Sequence, residues 1–396
     1  MEKRKGIPLT DMQRLHWLQL IRSENVGAVT FIDLIEHFGS AGDALNALPE
    51  LSSKGGRGKP IRIASREDAE RELELAEKIG ARFIGLGEPD YPPYLRAIEA
   101  PPPLILVKGN CDRFFSPSVG IVGSRNASAG GKKLTTLFAN QLGKTGFTTI
   151  SGLARGIDTA AHYASIDTGT IAVMAGGIDH IYPPENKELY FTILDKGGAI
   201  VSEMPIGTQP RAQDFPRRNR IIAGMSLGLL VCEAATRSGS LITARLAAEM
   251  GRIVFAIPGS PLDPRAQGTN NLIKEGALLV TRPEDITETL TPLSPSQDNR
   301  QLAIFGDTDE NYTELPQTPV LDKNAIDRID KDRDAVLNAL STAPIDLETL
   351  SLASEVPIDQ IYLILVELDL AGKLVRHSGG MVSIAVTDFL TRLAIF

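Results

Sequence analysis

The residues with most to offer a ligand are arginines placed beside glycines or an aromatic ring. Arg125 ends Gly123-Ser124-Arg125, and Arg155 lies inside Ser151-Gly152-Leu153-Ala154-Arg155-Gly156-Ile157-Asp158. Farther along, Arg211-Ala212-Gln213-Asp214-Phe215-Pro216-Arg217-Arg218-Asn219-Arg220 holds four arginines against one aspartate in ten residues. A guanidinium is a planar fork matched to phosphate oxygens, and an aromatic ring offers a face on which a base stacks. Glycine lets a ligand approach the backbone, and a helix N-terminus after such a turn presents free N–H groups to an anion. Ser238-Gly239-Ser240, Pro258-Gly259-Ser260 and Gly268-Thr269-Asn270 are further turns of this texture. Together they predict a phosphate-lined surface. The plainer alternative is that the glycines only close tight turns between strands and helices. It accounts for each loop alone but not for the arginines inside them.

Other chemistries find little footing. No G-x-G-x-x-G opens the first helix of the glycine-rich core, so ordinary NAD or FAD binding is unsupported. Gly143-Lys144-Thr145 looks like the end of a P-loop, but Phe138 stands where the upstream glycine belongs, and the triplet ends a helix instead of starting one. Asp158 and His162 are spaced i, i+4, half of a metal site, yet no third ligand has a comparable spacing among five scattered histidines. Asp158 is expected as an N-terminal helix anchor and His162 as a packed polar side chain. Neither catalytic residues nor cofactors nor metals are expected. Cys111 and Cys232 stand far apart, which argues against a disulfide frame or zinc site and for a reducing, cytoplasmic setting.

The elements that must hold these residues can be read from texture. With 396 residues, 42% hydrophobic and 23% charged, the chain is long enough for two or three domains of ordinary globular composition. The basic opening Met1 to Thr10 lacks an apolar run after it, and no run reaches the ~20 residues that span a bilayer. The net charge of −8 does not bear against a nucleic-acid partner, because phosphate binding needs only a local cationic patch.

Residues 8–80 read as a helical module, with Leu15, Leu18 and Ile21 in helical period, a turn at Asn25-Val26-Gly27, then Phe31, Leu34, Ile35 and Phe38 before Gly39. From 81 to 290, apolar runs alternate with helical stretches, which predicts a parallel, doubly wound α/β sheet. The runs are Val119–Val122, Thr148–Ile150, Ile171–Met174, Ala199–Val201, Leu229–Val231, Ile253–Ala256 and Leu278–Val280. Ligands of such sheets bind outside the carboxyl ends of the strands, where the arginine loops fall. Residues 291–330 form an acidic linker with four prolines and eight Asp/Glu against three Lys/Arg. In 331–386, three helical stretches and a hairpin around Ser378-Gly379-Gly380 predict a winged helix.

At this point the residues resemble the DNA-processing protein A (DprA/Smf) family. The likeness runs through Val122–Arg125, Ser151–His162 (SGLARGIDTAAH), Gly177-Ile178-Asp179 with Ile181-Tyr182-Pro183-Pro184, and Ser202-Glu203-Met204-Pro205. It continues through Phe215–Ser226 (FPRRNRIIAGMS), Glu233-Ala234, Ser238–Ala244 (SGSLITA), Phe255–Gly259 and Gly268–Asn271, and fades in the linker and after Ile384. The resemblance implies an extended Rossmann-like domain between a SAM-like or helix-hairpin-helix-like module and a DML1-like winged helix. It also implies a homodimer through the Rossmann-like domain that binds and protects single-stranded DNA and helps load the RecA recombinase, as in natural transformation, without being an enzyme. Gly123, Ser124 and Arg125 would then hold backbone phosphate, as would Arg217, Arg218 and Arg220. Lys187 is either another strand contact or a solvated helix-start lysine.

Two rivals remain. Phosphoribohydrolases share such a sheet and a P-G-G-x-G-T-x-x-E signature, but Pro258-Gly259 and Gly268-Thr269 are far apart here, and Leu272 replaces the glutamate. A winged-helix DNA regulator wants a basic recognition helix, whereas Ile358–Ala371 carries Glu367 and Asp369 with no Lys or Arg.

Overall fold

The computed structural model describes residues 6–54, 61–293 and 323–385, with side chains of the last segment from residue 331. The chain folds as two compact units, Met1–Leu9 with Arg71–Asp307, and Thr10–Glu70 with Thr308–Phe396. Three helices come first: α1 (Asp11–Arg22), α2 (Ala28–Phe38) and α3 (Ala41–Lys54). Thr10 and Gln13 form a reciprocal capping box at the start of α1, and α2 ends at Gly39 as its sequence predicts. The charged helix α4 (Arg66–Lys78) then leads to β1 (Ala81–Gly85), the single turn α5 (Pro93–Arg96) and β2 (Leu104–Gly109).

From there strands and helices alternate. The first half holds β3 (Ser118–Val122), α6 (Ala129–Lys144), β4 (Thr148–Ser151), α7 (Ile157–Ala164), β5 (Thr170–Val173), α8 (Lys187–Asp195) and β6 (Ala199–Ser202). The second holds α9 (Asp214–Met225), β7 (Gly228–Val231), α10 (Gly239–Glu249), β8 (Ile253–Ala256), α11 (Gln267–Lys274), β9 (Leu278–Leu279) and α12 (Glu284–Leu290). The nine-stranded sheet has the order β1-β2-β6-β5-β4-β3-β7-β8-β9. Strands β3 to β9 pair in parallel. Every apolar run anticipated from Val119 onward overlaps one of them, with Met174 and Val280 falling just past the ends of β5 and β9.

The expectation of a wholly parallel sheet needs correction at one edge, where β2 is antiparallel to both β1 and β6. A strand entering through Pro101-Pro102-Pro103 lacks the glycine-turn-helix texture that marks the others. Strands β3 to β7 are buried along their whole length, as strands covered on both faces must be. On one face Ile221, Ile222 and Met225 of α9 pack with Ala244 and Ala247 of α10. On the other, Phe138 and Leu142 of α6 pack with Ile157 and Ala161 of α7 and with Leu290 of α12.

In the other unit, α13 (Lys323–Ala339), α14 (Leu347–Ser354), α15 (Ile358–Leu370) and the hairpin of β10 (Leu374–Arg376) with β11 (Val382–Ile384) form the expected winged helix. Its core is Val336, Leu350, Ile361, Leu365 and Ile384. Val366 and Leu370 of α15 also enter the core of α1–α3, beside Phe31, Leu34 and Leu48. Polar contacts reinforce that seam: Arg376 pairs with Asp33 and Asp369 at 2.8 Å, and Asn25 donates to the Leu370 carbonyl at 2.9 Å. Most of the 291–330 linker lies outside the described residues. No single helix among the described residues is long and apolar enough to cross a membrane.

Candidate nucleic-acid interface

The basic run does not precede a helix, as its sequence suggested, but forms part of α9. A helix turns about 100° per residue, so neighbouring arginines point in different directions. Arg217 is exposed and makes no ion pair or hydrogen bond with a described residue. Arg218 is buried at 6% exposure, and its NH1 donates to the Val173 carbonyl at 3.3 Å. Arg220 binds Glu203 at 2.5 Å and the Ala100 carbonyl at 3.0 Å, tying α9 to the antiparallel edge.

Phe215, one turn earlier than Arg218, gathers the site. The Arg125 guanidinium lies 4.6 Å from its ring centre and that of Arg218 6.0 Å, while Tyr182 meets it edge-on at 6.0 Å. These side chains line a cleft of about 330 Å³ at the ends of β3, β4 and β5, together with Arg155, Asn126 and His180. Gly152 forms part of its floor. A side chain there would strike the Arg218 guanidinium at 1.3 Å, so glycine is what admits the buried arginine.

The cleft is strongly cationic. Burial, and then the charge of Arg125, push Arg218 down to about 10 against the pull of Asp158, so it stays ionised at neutral pH. Its Nε has no hydrogen-bond partner among the described residues. Asp158, the nearby carboxylate, is itself raised by burial despite Arg218 and the N–H groups it accepts. An entering phosphate would relieve both cations.

Backbone anion sites, expected at the helix N-termini, are already filled from within. Glu233 accepts from Ser128 N at 3.0 Å and from Ser128 Oγ at 3.1 Å, occupying the start of α6. Its carbonyl takes Ser124 N at 2.7 Å, so the crevice between β3 and β7 is closed by protein. Asp158, expected to anchor the helix N-terminus, instead accepts from Gly152 N at 3.1 Å and Ala154 N at 3.4 Å and so ties down the loop before α7, whose start has no side-chain cap. His162 is fully buried, accepts from Leu153 N at 3.3 Å and pairs with Thr170 Oγ1 at 2.7 Å. Side chains, and not N–H nests, therefore make the surface.

Other residues singled out from the sequence serve the framework. Gly123 packs on Ile157, and Gly156 adopts φ +79, bringing its turn against the Ser124 carbonyl. Ser238 caps α10, with Ser240 buried beside it, and Gly239 takes a hydrogen bond from Asn219 at 3.4 Å. Gly268-Thr269-Asn270 is not a turn but the start of α11. Gly268 and Thr269 are buried, and Asn270 clasps Gly259 through Oδ1 at 3.1 Å and Nδ2 at 2.9 Å. Arg211 is held by Asp214 at 3.1 Å, and Arg155 pairs with Glu185. Lys187 opens α8 exposed to solvent.

Sequence reasoning passed over Tyr182, His180 and Asn126, although an aromatic residue before two prolines after a buried strand was the available signal. It also missed Asn186. That buried amide donates to the Leu153 carbonyl at 2.8 Å and Thr159 Oγ1 at 2.9 Å, fixing the loop that carries Arg155.

Fold and cleft together define an extended Rossmann-like α/β protein with a helical module and a winged helix in the same chain. The family model described as DNA recombination-mediator protein A matches residues 82–291. Those of a DprA-like N-terminal HHH domain and a DprA winged helix domain match 11–74 and 320–380. Protein Smf of Escherichia coli strain K12 is 37% identical over 84% of this chain and 85% of its own. Protein Smf of Synechocystis is 33% identical over 94% and 99%. The X-ray structure of DNA processing protein A from Streptococcus pneumoniae superposes with a TM-score of 0.57 and 35% identity, covering 71% of this chain and 98% of that one. The chain belongs to the DNA recombination-mediator protein A family.

Proposed function

We infer that this protein binds single-stranded DNA in the Arg125–Phe215–Arg218 cleft and acts in DNA processing as a binding protein, not an enzyme. The observation that carries the reading is the pair of guanidinium groups bracketing one aromatic ring, one of them buried with an unpartnered Nε. Guanidinium forks grip phosphate, and aromatic faces accept any base, which suits a strand held without regard to sequence. Splayed bases and a narrow backbone fit a cleft of this size, whereas a duplex presents its phosphates on a wide cylinder. The residues lining the cleft include no carboxylate, cysteine, serine or threonine, which favours binding over nucleophilic attack by one of those groups.

Family membership supports the finer role of loading RecA recombinase on the bound strand, as a homodimer through the Rossmann-like domain. For the dimer, β9 offers an edge strand whose Leu278 and Leu279 are both exposed. The test is titration of the full chain with a single strand, the matching duplex and a mononucleotide over a salt series. Arg125 and Arg218, with Arg155 if a phosphate displaces Glu185, give two to three cationic contacts, so log K should fall with log salt at a slope of roughly −1.4 to −2, at about −0.7 per phosphate. Equal affinity for duplex and single strand, or no salt dependence, would overturn the reading.

A further inference from the structure

We propose that the groove between α6 and α7 is a second strand-binding subsite, which carries the nucleotides leaving the Arg125–Phe215 cleft. This rests on the single-strand reading above and extends it to a surface outside that cleft. The groove encloses about 410 Å³. Its floor is Gly156, the residue just before α7, with Ala160 and Ala164 at i, i+4 on that helix. Lys132 and Thr136 of α6 form one wall, and Tyr163 of α7 stands at the other.

Charge favours a polyanion here. From Ala129 to Ala164 the chain carries Lys132, Lys133 and Lys144, besides Arg155, which Glu185 pairs, against one acidic residue, Asp158, in a protein of net charge −8. Asp158 is buried and turned onto the backbone of the β4–α7 loop, so it does not screen the groove. Lys132 is exposed, with no hydrogen bond or ion pair among the described residues. Tyr163 is 52% exposed and makes no ring contact, leaving its face available for a base.

Continuity favours a strand. Arg155 lines the first cleft and Gly156 lines the groove, so a single peptide bond separates them. Gly156 has φ +79, and a side chain there would strike the Ser124 and Arg125 carbonyls at 2.3 and 2.7 Å, so glycine leaves no side chain standing at that junction. A strand crossing it sets a phosphate near Lys132 and a base on Tyr163. Stacking of this kind is indifferent to base identity, as the first cleft requires.

The experiment compares two thymidine oligomers on the full chain, of about 5 and about 15 nucleotides, spanning the short and long ends of ordinary single-strand site sizes. The parent should bind the longer strand more tightly than the count of overlapping registers explains. Lys132→Ala with Tyr163→Ala should weaken the long strand about tenfold, the effect of losing one stacked base and one phosphate contact. The short strand and the melting temperature should not change. Tyr163→Phe, which keeps the ring, should restore the stacking share, and Lys132→Ala alone should make the long-strand salt slope shallower by about 0.7. Equal loss on both strands, or none on the long one, overturns the proposal. So does a change of oligomeric state in sedimentation with binding intact, which would make the groove an interface between copies. If the parent binds neither strand, the single-strand reading itself has failed.

Discussion

Arg125 and Arg218 approach the same ring from different environments, and their variants should part accordingly. Arg218→Ala removes the cation that offsets the buried Asp158 charge, which should cost about 1–3 kcal/mol of stability, read as a lower denaturant midpoint. Retention of the parent midpoint would show that the cleft does not rely on that cation. His162 adds a pH signature. Burial, with Arg218 nearby, holds its imidazole down to about 3, so it stays neutral in the folded chain and takes a proton near its ordinary 6.5 when unfolded. Protonation therefore favours the unfolded state. The stability His162 contributes is fully present above 6.5 and is lost as pH falls toward 3. His162→Gln should remove that loss: between about pH 6.5 and 5 the parent should shed up to roughly 2 kcal/mol more than the variant. Parallel acid limbs for the two proteins would contradict the buried, neutral assignment. At this scale the sequence showed which residue types were present but not which way they face. Arg217, Arg218 and Arg220 are one motif on paper, yet they are exposed, buried and ion-paired in the fold.

At the level of elements, strands from Val119 onward were legible because each is a short apolar run alternating with a helix, and those from β3 to β7 are fully buried. Two features escaped. Strands β1 and β2 sit outside that rhythm, and β1 breaks it with an exposed second residue, Arg82. The extent of α9 and α11 escaped because Pro216 and Gly268 read as loop residues, although proline is tolerated in the first turn of a helix and glycine can be chosen for close packing. Gly268 packs against the Ala234 and Ala235 carbonyls, and its N–H bonds Ala234 O at 2.8 Å. The consequence is testable on Asn270, expected from sequence to meet the strand and found clasping Gly259. Asn270→Ala should lower stability by about 1 kcal/mol for the lost hydrogen bonds, with unchanged affinity for single-stranded DNA. An affinity loss without a stability loss would return that residue to the binding surface.

For the whole molecule, the winged helix spends part of α15 on the N-terminal helices, through Val366, Leu370 and the Arg376–Asp33 pair. That use of the helix, with Glu367 and Asp369 on it, weighs against a major-groove reader. Removing residues 300–396 should leave the nine-stranded unit folded, because its two cores draw nothing from beyond Leu290. It should also raise protease sensitivity in α1–α3 by uncovering their apolar seam; collapse of the sheet on truncation would contradict the division into units. Whether the cleft is a ligand surface or architecture is decided by one paired measurement. Binding of a single strand and thermal unfolding are measured on the same preparations of the parent, Arg125→Ala and Arg125→Lys. The alanine variant should lose about 1.5–3 kcal/mol of binding, as expected for hydrogen bonds to a charged group. The lysine variant should recover part of it, since a point charge cannot reproduce the fork. All three should melt together, because Arg125 is exposed and its one described side-chain contact is the Phe215 ring. Unaltered affinity in Arg125→Ala, or a fall in melting temperature that accounts for the binding loss, would contradict the account.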